Sequence, residues 1–317
     1  MICRVRPIGR DPGANDDDAM KNDETIMPEQ SKIKGYIAGI IAAIAYGTNP
    51  LGALFLYQEG FNPPSVIFYR FTFAVIILAI ILLVQKVPFK ITKFEFKVLL
   101  SLGVLFAASA LSLYTSFKHL DSGVASTILF AYPVMVAVIM AVFFKERASM
   151  MMIISIVLSI IGILLLYQGD GDAKMSLWGV VLVLISSLTY AVYIVVVNRT
   201  KISMPPFKMT FYIMAFAAVV IALYSFCVPD SRIMPIPSWS ALGWICMVAI
   251  VPTIIAMTML NIGIQNAGST PTAIMGALEP VTAVCISVLV FDGLFTTRLV
   301  LGIALILAAV LLIVVKR

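Results

Sequence analysis

Apolar residues come in long unbroken runs along this chain, and polar residues gather in the short stretches between them. Ten runs stand out, at approximately 34–56, 64–84, 95–117, 122–143, 150–168, 177–197, 207–228, 240–263, 269–291 and 297–315. A helix needs about 20 mostly apolar residues to cross the ~30 Å hydrocarbon core of a bilayer, and each run is close to that length. The runs are continuous, and too long for the ~10-residue alternating strands of a membrane barrel. The breaks between them carry helix-stopping residues, among them Asn62-Pro63-Pro64, Gly169-Asp170-Gly171-Asp172, Pro205-Pro206 and Pro235-Ile236-Pro237. The pattern predicts an all-α integral membrane protein of ten transmembrane helices.

Composition agrees with the pattern. Hydrophobic residues make up 61% of the 317 and charged ones 12%, against about 45–50% and about 25% in soluble domains. Residues 1–30 are different in kind, holding three arginines, one lysine and seven acids with no apolar core of a signal peptide. They read as a disordered cytoplasmic tail, with Met20 or Met27 as alternative starts. Ten crossings put both termini on one side, and that side collects 17 of the lysines and arginines against 5 on the other. The positive-inside rule makes it the cytoplasmic side, so the expected location is the cell (inner) membrane, multi-pass, with both termini inside. Trp178, Trp239 and Trp244 then fall at the outer interface, as an aromatic belt. The net charge of +6 sits at run ends, where it reads as topology and not as a nucleic-acid surface. The four cysteines, Cys3, Cys227, Cys246 and Cys285, show no metal-ligand spacing.

The two halves of the chain echo one another. The fourth run contains Phe130-Ala131-Tyr132-Pro133-Val134 and the ninth Ala277-Leu278-Glu279-Pro280-Val281. The same separation of 147 residues pairs Ser122 with Ser269, Ser155 with Gly302 and Leu164 with Leu311, while Gly35 and Tyr46 match Gly179 and Tyr190 at 144. Five runs per half, an odd number, turn the second half upside down relative to the first. Inverted repeats are a recurring plan of secondary transporters, with the solute held near the bilayer midplane between the halves. The expected units are a first five-helix repeat over 31–171 and a second, inverted one over 172–317, around a central cavity.

Two five-helix halves, each with Pro-Val in its fourth helix, resemble the EamA-type carriers of the drug/metabolite transporter superfamily. The resemblance covers about residues 34–317. Glu146, after the fourth helix, matches a glutamate usual in that family, whereas the nearest acid in the second half, Asp292, is a residue shorter and one position off. Among ten-helix members the chain looks most like bacterial exporters of amino acids and other metabolites. The resemblance implies a fold closely and a substrate only loosely.

Candidate site residues are the polar groups stranded inside the runs. Glu279 lies near the middle of the ninth run, where a charge costs about 2.5–3.5 kcal/mol on insertion scales and is expected to face a cavity or partner. It reads as a proton-coupling or amine-binding group, or as a structural carboxyl between helices. Arg70 lies about 9 Å inside the second run, at ~1.5 Å per residue. It is placed to attract a carboxylate, to pair with an acid, or to snorkel to the headgroups. Tyr46 and Asn49 in the first run, with Tyr190 and Tyr193 in the sixth, form a polar and aromatic wall. Tyr114 with Ser109, and Asn261 with Thr253, add polar groups from the third and eighth. Pro133 and Pro280 each free a backbone carbonyl, those of Leu129 and Gly276, and Pro50 frees that of Tyr46. They read as hinges whose acceptors face the solute path, or as static kinks.

Other chemistry is poorly supported. Gly169-Asp170-Gly171-Asp172 formally fits an intramembrane protease motif but lies between runs. Asn198-Arg199-Thr200 is a sequon on the cytoplasmic side, His119 is a lone histidine in an outer loop, and Gly35 and Gly39 make one GxxxG match at a helix end. A single histidine excludes most triad and zinc chemistry, and no ATP motif is present, so no metal or cofactor is expected. The function expected is a secondary transporter, not an enzyme, that moves small neutral or zwitterionic metabolites, amino-acid-like or otherwise, by alternating access. Its partners would be the solute and the bilayer, with proton coupling as an open possibility. A non-transporting membrane partner or a lipid-handling protein is the alternative, with an intramembrane enzyme a less favoured one.

Overall fold

The computed structural model describes residues 29–144, 150–168, 176–200, 204–267, 272, 275–293 and 296–315. The tail before Glu29 and the family-type glutamate Glu146 lie outside these residues. The described residues form helices and the loops that join them, with no strand among them. The first run forms α1 (Glu29–Gly47) and α2 (Asn49–Gln58), broken at Thr48. Then come α3 (Pro63–Val84), α4 (Lys93–Ser116), and α5 (Ser122–Leu129) and α6 (Tyr132–Phe144), which divide the fourth run. After α7 (Met150–Gln168), α8 (Leu177–Thr200) and α9 (Pro206–Cys227), the eighth run holds α10 (Trp239–Ala249), a π-helix (Ile250–Ile255) and α11 (Ala256–Ala267). α12 (Leu278–Val290) and α13 (Thr297–Val315) close the chain.

Seven of these stretches are long and apolar enough to cross a membrane: Ile33–Gln58, Pro63–Val84, Lys93–Ser116, Ser122–Phe144, Leu177–Val197, Pro206–Cys227 and Trp239–Leu260. Three further apolar helices, Ile153–Leu166, Leu278–Val290 and Thr297–Leu312, are shorter. Local chemistry sets the ends. Asn62 accepts from the Ser65 amide ahead of Pro63-Pro64, and Asp121 accepts from the amides of Gly123 and Val124. Thr92 and Glu95 form a reciprocal capping box on α4, and Ser238 caps α10. Each cap satisfies amide donors that the first turn leaves without a helical partner.

Packing runs between the halves of the chain more than within them. α1 lies along α11, α4 along α8, α3 against α9, and α7 against α13. α9 also packs on α4 and α10 on α3, while α12 contacts α5 and α1, and α6 contacts α8. Small residues make the closest approaches. A Cβ added at Gly35 would meet the Ala267 amide nitrogen at 2.5 Å, and one at Gly162 would meet the Gly302 carbonyl at 3.1 Å. The Gly35–Gly39 spacing, set aside in the sequence, therefore lies in the α1–α11 contact, where small residues let helices approach in a bilayer. Between α4 and α8, Ser109 and Ser186 exchange hydrogen bonds, each hydroxyl reaching the other residue's carbonyl at 3.0 and 2.8 Å.

Candidate functional site

A cavity of about 330 Å³ lies among the helices and gathers most of the stranded polar groups. That volume is at the small end of ligand pockets. Tyr46, Asn49, Arg70, Tyr114, Tyr190, Tyr193, Glu279 and Pro133 all line it. Pro50 and Pro280 are buried beside it without lining it. Asn261 belongs to α11, and its side chain lies outside those described.

Arg70 sits at one end of a hydrogen-bonded set. It is only 6% exposed. Its Nε donates to Thr253 Oγ1 at 3.0 Å and its Nη1 to Tyr114 Oη at 2.8 Å, and Tyr114 Oη reaches Asn49 Oδ1 at 3.3 Å. No ion pair to Arg70 occurs among the described residues, so it neither snorkels to the surface nor meets a protein carboxylate. The Thr253 geometry comes from the chain itself. Pro252 has no N–H for the carbonyl of Val248, and the Thr253 hydroxyl donates to that carbonyl at 2.9 Å. The local π-helix places the same hydroxyl oxygen where it accepts from Arg70. A π-turn is the kind of irregularity that clusters at functional sites.

Glu279 forms a separate pole. It stands in the first turn of α12, where a carboxylate complements the helix dipole. Among the described residues no side chain donates to it, and it faces the cavity. Tyr46, Tyr132 and Tyr190 line the same cavity as Glu279. The rings pack on one another: Tyr132 meets Tyr190 edge-on at 4.8 Å between centroids, and Tyr190 stacks on Tyr193 at 5.7 Å.

Helix discontinuities converge on this space. Asn49 opens α2 just after the Thr48 break, and Phe130 and Pro133 flank the α5–α6 break. Thr253 belongs to the π-helix, and Gly276 to the turn before α12. Irregular backbone at membrane depth is tolerated where it is buried in protein or lines a wet cavity. The carbonyls freed by the two prolines are each bonded within the protein and do not point free into the path. Leu129 O accepts from Ser187 Oγ at 3.1 Å, and Gly276 O from the Glu279 amide at 3.0 Å. Thr258 bonds its own helix at Ile254 O.

Tyr132, Phe106, Met257, Leu260 and Thr272 also line the cavity and were not singled out from the sequence. The signal for several was present. The 147-residue offset pairs Tyr132 with Glu279, Phe106 with Thr253, Ala110 with Met257 and Leu113 with Leu260, and the 144-residue offset pairs Tyr46 with Tyr190 and Asn49 with Tyr193. Both members of every pair line the cavity.

Two other concave regions differ in character. One, of about 680 Å³, lies where the α2–α3, α4–α5 and α12 ends meet, with Tyr57, Lys118, Asp121 and Ser287 in its lining. There Ser287 Oγ donates to Asp121, and Tyr57 Oη donates to Tyr114 O at 2.7 Å. The other, about 580 Å³ between α6, α7 and α8, is lined by apolar side chains with Ser159 the sole polar member.

Comparison with known proteins places the chain. The EamA-like transporter family matches residues 33–168 and again 177–315. The chain belongs to the EamA-like transporter family. Uncharacterized transporters stand among the similar proteins of this EamA-like chain. One, YcbK of Bacillus subtilis (strain 168), is 24% identical over 269 residues, covering 81% of this chain and 86% of the relative. Another, of Archaeoglobus fulgidus, is 24% identical over 280 residues, covering 88% and 95%. A solved crystal structure, 17% identical, aligns with a TM-score of 0.63 over 89% of this chain and 96% of its own, which speaks to fold alone. The EamA-like chain is a multi-pass membrane transporter.

Proposed function

We propose that this EamA-like protein is a secondary transporter that carries small neutral or zwitterionic organic solutes, amino-acid-like ones among them, by alternating access. Its working units are two inverted five-helix halves, 31–171 and 172–317. The carrying observation is the cavity whose lining residues pair off across the halves at the two repeat offsets. The contacts support the same reading: exchanging halves turns α4–α8 into α1–α11, α4–α9 into α3–α10, and α6–α8 into α1–α12. With 19 residues each, α7 and α13 come to about 28 Å, close to the ~30 Å hydrocarbon thickness, which supports ten crossings. Pro133 and Pro280 are the hinge candidates about which the halves rock. The distribution of positive charge supports cytoplasmic termini in the cell membrane, and the likeness to metabolite exporters supports outward transport.

The lipid-handling alternative fits less well. The groove between α6, α7 and α8 offers acyl chains a surface, but among the described residues its one polar lining residue is Ser159, which offers no charge to a headgroup. The test is reconstitution in liposomes and flux of a panel of amino acids, amines, carboxylic acids and sugars, with and without a pH gradient. Saturable flux of at least one solute is expected, and its dependence on the gradient reports proton coupling. Absence of flux for the whole panel would refute the transporter reading.

A further inference from the structure

Two opposite charges line one small space without meeting each other or any other charged side chain described. Arg70 spends two of its five N–H donors on the neutral oxygens of Thr253 and Tyr114, and Glu279 receives no side-chain donor among the described residues. A buried guanidinium and a half-buried carboxylate at membrane depth are each costly without a partner. Two such groups left open toward the same cavity form a receptor for the complementary charges.

Their depths are set by the helices that carry them. Arg70 is seven residues into α3, which begins at Pro63, or ~10 Å from that end. Glu279 is eleven residues from Val290, the last of α12, or ~16 Å. Phe61, just before α3, and Phe291, just after α12, line the same surface pocket, so both depths are counted from one face. The two backbone positions are therefore offset by roughly 6 Å along the axis, so the two charged residues enter the one cavity at different depths.

The surroundings of the poles also differ. Arg70 is flanked by the neutral groups of Thr253, Tyr114 and Asn49, which leave its remaining donors free for an incoming acid. Glu279 shares the cavity with the aromatic rings of Tyr46, Tyr132 and Tyr190, groups whose faces favour a cation.

We propose that Arg70 and Glu279 are the two specificity-determining poles of the transport site: Arg70 takes the carboxylate of the solute and Glu279 its ammonium. The substrate class is then a zwitterion carrying both charges a few ångströms apart. This rests on the transporter reading and narrows it. A solute with only the acid leaves Glu279 uncompensated, and one with only the amine leaves Arg70 so.

The test uses three solutes sharing one side chain: an α-amino acid that the liposome panel shows to be carried, the acid lacking the amine, and the amine lacking the carboxylate. Binding to the purified full-length protein and competition for flux are measured with each. The wild type is expected to favour the zwitterion over either half-analogue by roughly 10–100-fold, as charge-assisted hydrogen bonds allow. Glu279→Gln is expected to shift preference to the acid, Arg70→Gln to the amine, and Glu279→Asp to keep the wild-type order. Equal wild-type affinity for all three solutes overturns the proposal without needing any variant, and so does a Glu279→Gln protein that still prefers the zwitterion. Flux of an uncharged solute with no advantage for zwitterions sinks the two-pole site and leaves the transporter reading standing. Silence across the whole panel removes both.

Discussion

The threonine at 253 does two jobs with one oxygen. It donates to the Val248 carbonyl that Pro252 leaves open and accepts from Arg70. Valine has nearly the same shape and neither function, so Thr253→Val is expected to lower solute binding by roughly tenfold through loss of a bond to a charged group. Thr253→Ser, which keeps the hydroxyl, is expected to stay near wild type. Titration of the purified variants with a transported solute checks both. The sequence marked Thr253 only as one hydroxyl among many, because a threonine in a helix ordinarily bonds its own backbone, as Thr258 does. Glu279 and Arg70 were legible for the opposite reason: an ionised group inside an apolar run has few bland explanations. Tyr132 was passed over although it is the repeat mate of Glu279, since an aromatic residue in a membrane helix is chemically unremarked until its partner is known.

Among the elements, the helices with the closest approaches make the sharpest prediction. Gly35→Ala puts a methyl 2.5 Å from the Ala267 amide nitrogen, and backbone cannot yield as a side-chain tip does. The variant is expected to lose about 1–3 kcal/mol of stability, read as a lower midpoint of thermal unfolding in detergent. Gly243→Ala, with no atom within 4 Å of the added carbon, should be neutral. The prolines at 133 and 280 invite a second comparison. Replacing both with alanine restores two amide donors, and as hinge candidates they are expected to slow flux several-fold more than they change the unfolding midpoint. Run positions were legible because lipid demands length and continuity. The interruptions at Thr48, at Phe130–Ala131 and over Ile250–Ile255 were not, apart from the prolines, because composition inside a run is apolar whether the helix is straight or broken. The caps at Asn62 and Ser238 fell beside the breaker residues named from the sequence.

For the molecule as a whole, the proposed inverted arrangement carries a topological prediction. Single cysteines placed at Lys118 and Arg232 in a cysteine-free background should react with an impermeant thiol reagent added outside intact cells. Cysteines at Lys90 and Pro205 should react only after the membrane is opened. Labelling of all four from one side would contradict the arrangement of two flipped halves. The proposed halves rest on a handful of residues at fixed offsets, and a central cavity was expected between them, but most of its lining was not legible, because a repeat says which positions correspond and not which of them turn inward. The lining residues differ in kind between corresponding positions. Glu279 corresponds to Tyr132, Thr253 to Phe106 and Asn49 to Tyr193, so in these three pairs a non-aromatic polar side chain stands opposite an aromatic one.

The π-turn at Ile250–Ile255 has a further consequence for how such a wall moves. A π-turn holds one residue more per turn than its neighbours, so relaxing it to ordinary α-helix rotates everything beyond it by about 100°. That rotation would swing Thr253 off the guanidinium and change the face that α11 offers to α1 in the same stroke. Sensing cargo and shifting a wall would then be one mechanical event, with Pro252 as the ratchet tooth on which it catches.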